Sequence, residues 1–413
     1  MDVLTIFAIL AGIIIIGFFA DVLFKKVDIP DVLVLIIVGI FIGYFFSVDI
    51  QTGAELFTTF ALIFILFQGG LQINFKTLFN NLPKAMALGV FGFLTSFVIL
   101  FVLLYFTFQF DMAASLLLSA ILGGTSSAVI IPLLNRVSIS EKHESILTIE
   151  STLNDILCIL VTVSILQILQ DGFMGPGIIA ATFFSALSTA LFFGIIFGII
   201  WIYIMYNHQS LVKSHLVTIA VMMILFVVVE STFVSGNGAV AALTFGLMLG
   251  NSNLILRLFV TKEEDIHSVV PQSSKNFFFE IYFLVKTFFF VYLGLIITFS
   301  SIWTFIVGFI LALSLYIFRP LLIYSIMKND KSDDINKTYL EIMIPKGIAA
   351  AVLTGIVFQS GLFSVELAQE ITTLVTTVIF SSILITSILL FLTQKNKFVS
   401  FMPFLHPKKE SSK

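Results

Sequence analysis

Charge is scarce in this chain. Asp, Glu, Lys and Arg supply 11% of its 413 residues against 59% hydrophobic ones, and the mean hydropathy is +1.12. That leaves too little polar surface to cover a soluble globule, so the sequence reads as a membrane protein. Cysteine is nearly absent. Cys158 stands alone, which excludes an internal disulfide framework, argues against a cysteine metal site and leaves the thiol as a small apolar packing group. No basic stretch precedes the first apolar run, which begins after Asp2 and is too long for a signal-peptide core, so it is expected to remain as a first span. No phosphate loop or nucleotide fingerprint occurs, which argues against an ATP-driven pump; no cofactor and no nucleic-acid partner are expected.

Long apolar runs are what the chain has instead. Runs of about 18 to 28 residues between polar breaks mark thirteen candidate helices. They fall near 3–23, 31–48, 53–72, 85–108, 111–135, 143–170, 176–205, 213–231, 237–256, 276–298, 301–327, 338–360 and 367–393. Alternate connections collect Lys25, Lys26, Lys76, Lys84, Arg136, Lys142, Lys213, Arg257, Lys262, Lys275, Lys328, Lys331 and Lys337, and the tail adds five more lysines. The intervening connections contain none, so 18 of the 21 basic residues fall on one side. Cytoplasmic loops carry that excess. The reading is therefore an all-α polytopic membrane domain over 1–393, with its N-terminus outside and a short cytoplasmic tail over 394–413. The five histidines, at 143, 208, 215, 267 and 406, lie in or beside the cytoplasmic segments and read as solvated loop residues, as do Glu263, Glu264 and Asp265. Glu230 and Glu341 read as rim residues near helix ends, and Glu280 and Lys286 as structural.

Three basic residues, Lys286, Arg319 and Lys346, remain inside apolar segments, where each needs a partner or a water-filled cavity. Acidic groups are buried in the sixth segment, which carries Glu150-Ser151-Thr152-Leu153-Asn154-Asp155. A helix entering the bilayer near His143 puts Asp155 roughly 18 Å in, about the middle of the hydrocarbon core. Glu150 and Asp155 point about 140° apart around a 3.6-residue helix, so they do not form one dyad. Ser151 shares a face with Asp155, and Asn154 with Glu150. One carboxylate with a hydroxyl beside it suits a small cation or a proton; the other needs a base, and Arg319 lies at matching depth in the eleventh segment.

Two segments are predicted to be interrupted. The fifth has Gly123-Gly124-Thr125-Ser126-Ser127 before Pro132, and the twelfth has Ile344-Pro345-Lys346-Gly347. An offset of seven spans makes equivalent helices antiparallel, the pattern of inverted repeats with two discontinuous helices crossing at a substrate site. The repeats would be 3–170 and 213–393, with 176–205 as a linker helix.

These residues carry a resemblance. The stretch from Gly123 to Asp155, Arg319-Pro320, and Pro345-Lys346-Gly347 resemble the cation/proton antiporters of the sodium/proton exchanger type, in particular their prokaryotic electroneutral branch with thirteen spans. The likeness extends over nearly the whole chain, including Lys26 to Gly43 and Thr287 to Gly294. It implies a homodimer in the cell membrane whose core bundle moves against a dimerisation bundle. Asp155 would hold a cation or a proton in turn, with Ser151 and Thr125 as sodium ligands and Asn154 and Gln68 beside the site. Glu150 and Arg319 would form a supporting ion pair, and Lys346 would bring positive charge to the broken twelfth span. Asn154 in place of a second aspartate goes with exchange of one cation for one proton.

The chain departs from the pattern at Thr125-Ser126-Ser127, where many relatives have Thr-Asp-Pro; at Gln68, where some have an acid; and at Lys346, where arginine is frequent. The missing aspartate leaves the facing helix ends to be offset by Asn154 and hydroxyls.

Burial favours the neutral form of a carboxylate and a bound cation favours the charged form. A site that cannot cross empty and charged must carry one or the other. The sequence is accordingly read as a secondary antiporter of Na+, with Li+ also accepted, against H+. Potassium/proton exchange is the alternative within the class, and a transport-inactive sensor or a cation channel on the same fold is the alternative outside it.

Overall fold

Every element in the computed structural model is a helix among the residues it describes, which are 3–27, 31–45, 54–134, 137–171, 176–207, 214–232, 238–257, 270–296, 302–328 and 334–395. In chain order they are α1 (Val3–Val27), α2 (Asp31–Phe45), α3 (Ala54–Gln72), α4 (Phe75–Val102, continued by a wider turn over Leu103–Thr107), α5 (Met112–Gly123), α6 (Ser127–Leu134), α7 (Glu141–Asp171) and α8 (Pro176–Asn207). Then follow α9 (Ser214–Thr232), α10 (Gly238–Gly250), α11 (Ser252–Leu256), α12 (Gln272–Ile296), α13 (Ile302–Met327), α14 (Asp334–Ile342), α15 (Ile348–Gln359) and α16 (Val365–Gln394). Five stretches are long and apolar enough to cross a membrane: Asn81–Thr107, Glu141–Gln170, Leu187–Asn207, Ile302–Met327 and Val365–Gln394. Several other apolar helices are shorter. Arg136, Lys213, Lys262, Lys331 and the tail beyond Lys395, on which the predicted orientation leans, lie outside the described residues, as do His208, His267, His406 and Glu263 to Asp265.

The chain forms two compact units, one of 1–48, 81–158 and 290–413, the other of 49–80 and 159–289. In the second, α10 is the central helix and packs on α3, α8 and α9. Apolar side chains gain little by meeting one another in lipid; helices associate there through close packing of small residues. Gly70 and Gly246 provide it: a methyl group on Gly70 would stand 2.2 Å from the Leu243 carbonyl oxygen, and one on Gly246 would stand 2.1 Å from that of Phe67. Phe67 then stacks on Phe245, centroids 5.8 Å apart, and meets Phe278 edge-on at 5.4 Å. Asn251 interrupts the helix after α10, accepting from the Phe75 amide (2.8 Å) and donating to the Ile73 carbonyl (2.8 Å).

In the first unit, α2 and α12 cross in the same manner. A methyl on Gly39 would stand 2.1 Å from the Val291 oxygen, and one on Gly294 would stand 2.1 Å from that of Ile36. In both crossings each glycine faces the carbonyl three residues before the other glycine. Helix α16 packs on α13, α14, α15 and α5 and buries many hydroxyls, most of them donating to carbonyls one turn back, as Thr376, Thr377 and Ser382 do. Large apolar side chains such as Leu4, Phe7 and Phe19 of α1 are exposed instead. Polar groups inside and apolar ones outside is the arrangement a lipid solvent demands.

Two expectations about single residues change. His143 is buried, because Ser140 starts α7 and its hydroxyl bonds His143 Nδ1 at 2.6 Å. Glu341 is buried as well, in α14, and Glu230 accepts from the Gly238 amide at 3.1 Å at the start of α10. Glu280 is exposed and Lys286 buried on α12.

Candidate functional site

Glycine ends one interrupted helix and proline the other. After α5 the chain leaves helical geometry at Gly124, which is extended (φ −88°, ψ 168°), and resumes at Ser127. After α14 it is irregular from Met343 to Gly347, because Pro345 has no N–H to donate and restricts the residue before it. The two interruptions touch: the Ser126 amide donates to the Pro345 carbonyl at 2.9 Å.

The two helix ends exposed by the first break have partners of the sign their dipoles favour. At the start of α6, the Ser127 amide and hydroxyl both donate to Asp155 Oδ2, at 3.2 and 2.6 Å. At the end of α5, Lys346 Nζ donates to the Gly124 carbonyl at 2.7 Å. Asp155 thus stands at the start of α6, and Lys346, expected as the charge of the broken twelfth span, reaches across to the break in the fifth.

Asp155 and Lys346 are both buried. Among the described residues no basic side chain ion-pairs with Asp155. Glu150, one turn and a half earlier on α7, is treated differently: it ion-pairs with Arg319 of α13, whose Nε also donates to the Leu340 carbonyl at 3.3 Å. Gly92 of α4 makes room, since a methyl there would stand 2.9 Å from the guanidinium.

The other predicted site residues are placed as follows. Thr125 Oγ1 accepts from Asn154 Nδ2 at 3.0 Å, and Asn154 Oδ1 has no hydrogen-bond partner among the described residues. Thr125, Asn154 and Arg319 line a small cavity together with Thr95 and Ser96. Ser151 shares the helix with Asp155, but its hydroxyl donates to the Thr148 carbonyl at 3.1 Å. Gln68 is buried in the other unit, its Oε1 without a partner among the described residues. Ser127 was not singled out from the sequence as the hydroxyl on Asp155. The signal for it was its place as the first residue of a helix after a glycine pair, where a free amide and a hydroxyl point the same way.

This arrangement holds two carboxylates in two chemical states: one neutralised by a fixed arginine, the other bound only to neutral donors. The second can be protonated or deprotonated without breaking an ion pair among the described residues.

Known proteins resemble this chain along much of its length. Over 350 residues, 80% of this chain and 78% of the relative, it is 27% identical to the Na(+)/H(+) antiporter 1 of Methanocaldococcus jannaschii. It is also 27% identical over 234 residues to a K(+)/H(+) antiporter, NhaP2, of Shewanella sp. (strain ANA-3); that match takes in 55% of this chain and 40% of the relative's length. The structure of the sodium proton antiporter MjNhaP1 from M. jannaschii at pH 8 superposes with a TM-score of 0.77 over 98% of this chain and 100% of the other, at 23% identity, and so shares the fold. The family described as "Sodium/hydrogen exchanger, transmembrane" matches residues 8–395, and the chain belongs to that family.

Proposed function

We propose that the protein exchanges a monovalent cation for a proton across the cell membrane, one for one, with Asp155 carrying each in turn. The observation that carries this reading is the contrast between the two buried carboxylates: Glu150 is held by Arg319, whereas Asp155 accepts hydrogen bonds, among the described residues, from the Ser127 amide and hydroxyl alone. A charged carboxylate at that depth is costly when empty. It crosses either protonated or with a cation, and this competition couples the two fluxes. Ser127, which touches Asp155, and Thr125 and Ser151, which stand near it in the chain and on the neighbouring break, supply oxygens for the cation, and Lys346 balances charge at the break after α5.

Sodium, with lithium, is the preferred cation; the M. jannaschii relative is named for sodium/proton exchange and matches over most of both chains. The Shewanella relatives, named for potassium/proton exchange, favour the second reading of this site. Thirteen spans in two inverted repeats, with an outer N-terminus, a cytoplasmic C-terminus and a homodimeric assembly, complete the proposal. The matched glycine crossings of α2 with α12 and α3 with α10 support the repeats, since each pair of equivalents lies seven spans apart.

The test is proton flux in proteoliposomes under an imposed pH gradient, with sodium, lithium or potassium added in turn. Wild type responds to sodium or lithium and falls off at both acid and alkaline extremes, and Asp155→Asn is silent. Cation-dependent proton movement by folded Asp155→Asn protein would refute the assignment; a potassium-only response would select the second reading.

A further inference from the structure

Lys346 reaches Gly124 from the opposite interruption, and both ends of that bond are themselves tied down. The Lys346 amide donates to Ser382 Oγ at 2.9 Å, and Ser382, on α16, passes its own proton to the Ile379 carbonyl at 2.9 Å. The Gly124 amide donates to Cys158 Sγ on α7 at 3.2 Å. The same rule operates twice: a side chain on the helix after each interruption accepts the backbone N–H of the residue whose other end makes the Lys346–Gly124 bond. Both acceptors are buried. The first contact is tight by construction, since a methyl on Gly124 would stand 2.5 Å from the Cys158 sulfur. Ser382 is held further by Tyr316 of α13, whose hydroxyl donates to the Ser382 carbonyl at 2.7 Å and lies 2.6 Å from Thr386 Oγ1.

The geometry points to Cys158 and Ser382 as a matched pair of positioning residues, each anchoring one interruption to the following helix so that Lys346 Nζ stays on the Gly124 carbonyl. An irregular backbone has no ladder of its own to hold it, and its free amides need buried acceptors. With either anchor gone, the ammonium and the carbonyl lose their fixed separation. The Ser126 amide bonded to Pro345, and Ser127 beyond it on Asp155, then lose their fixed frame. Neither anchor touches the transported ion. They act through the shape of the breaks.

Two measurements on the full-length protein test this, and the second rests on the antiport reading. Residue-resolved hydrogen exchange is the first. Cys158→Ala speeds exchange at Gly124 and Ser382→Ala speeds it at Lys346 by roughly five- to tenfold, as expected for one lost buried hydrogen bond. Cys158→Ser and Ser382→Thr, which keep an acceptor, stay within about twofold of wild type, and amides elsewhere in α7 and α16 keep their rates. Ser382→Cys, a weaker acceptor, gives an intermediate rate and serves if the alanine variant does not fold. Unchanged exchange at both breaks, or an even rise along the chain, overturns the proposal.

The second measurement is cation-driven proton flux. Ser382→Ala raises the half-saturating cation concentration about tenfold with a smaller effect on maximal rate, and Ser382→Thr restores it. A fall in maximal rate alone, not restored by threonine, also overturns the positioning role. If wild type moves protons with none of the three cations while the exchange pattern holds, the antiport reading fails and the anchoring stands.

Discussion

Removing one partner of the Glu150–Arg319 pair should damage the protein far more than removing both. Both side chains are buried, Glu150 almost completely at 1% exposure and Arg319 at 6%. Arg319→Met leaves a buried carboxylate without its ion-pair partner, and Glu150→Met leaves a guanidinium held, among the described residues, by the Leu340 carbonyl. Breaking a buried pair from one side costs about 3–5 kcal/mol. The double variant Glu150→Met/Arg319→Met keeps most of the volume, strands no charge and loses chiefly the bond to Leu340, about 1–2 kcal/mol. The singles together would predict a loss of about 6–10 kcal/mol, so the coupling energy is at least about 4 kcal/mol. Apparent melting temperature in detergent, followed by intrinsic fluorescence or dispersity on gel filtration, reads the difference. Each single variant falls by roughly 5–10 °C and the double by only a few degrees. A double variant whose loss equals the sum of the singles would show that the two groups do not sense each other, and the reasoning would fail.

Two adjacent glycines of α3 should respond in opposite directions. Gly70→Ala drives a methyl onto the rigid Leu243 carbonyl and costs more than the usual 1–3 kcal/mol or so of overpacking, whereas Gly69→Ala meets nothing within 4 Å and gains up to about 1 kcal/mol of helix propensity. Equal melting temperatures for the two variants would disprove the close crossing. Ser127→Ala removes the hydroxyl donor from Asp155 and leaves only the 3.2 Å amide bond; the half-saturating cation concentration should rise about tenfold in the flux assay. An unchanged value would remove Ser127 from the site.

The sequence made the two interruptions legible because proline and paired glycines act locally, wherever the rest of the chain lies. The meeting of Glu150 with Arg319 was legible for another reason: buried charges of opposite sign at equal depth have few other ways to be satisfied. Ser151 carries a detail that helical spacing does not encode: a serine inside a helix can return its proton to a carbonyl of the preceding turn, and Thr148 takes it, leaving the oxygen its lone pairs. Ser127, outside α7 altogether, reaches Asp155 through a contact no periodicity in α7 encodes. His143 and Glu341 were misread as solvated because proximity to a loop says nothing about what packs over it.

Two helix crossings obey one contact rule and two anchors obey another, which is what the proposed repeats require. Setting Cys158 against Ser382 brings Asp155 opposite Ile379, Asn154 opposite Val378 and Glu150 opposite Leu374, all three of the latter side chains buried and apolar. The carboxylates of α7 thus have apolar counterparts on α16, while the buried cations Arg319 and Lys346 stand on α13 and in the second interruption. The acidic and basic groups of the candidate site come from different stretches of the chain, and each stretch is incomplete without the other.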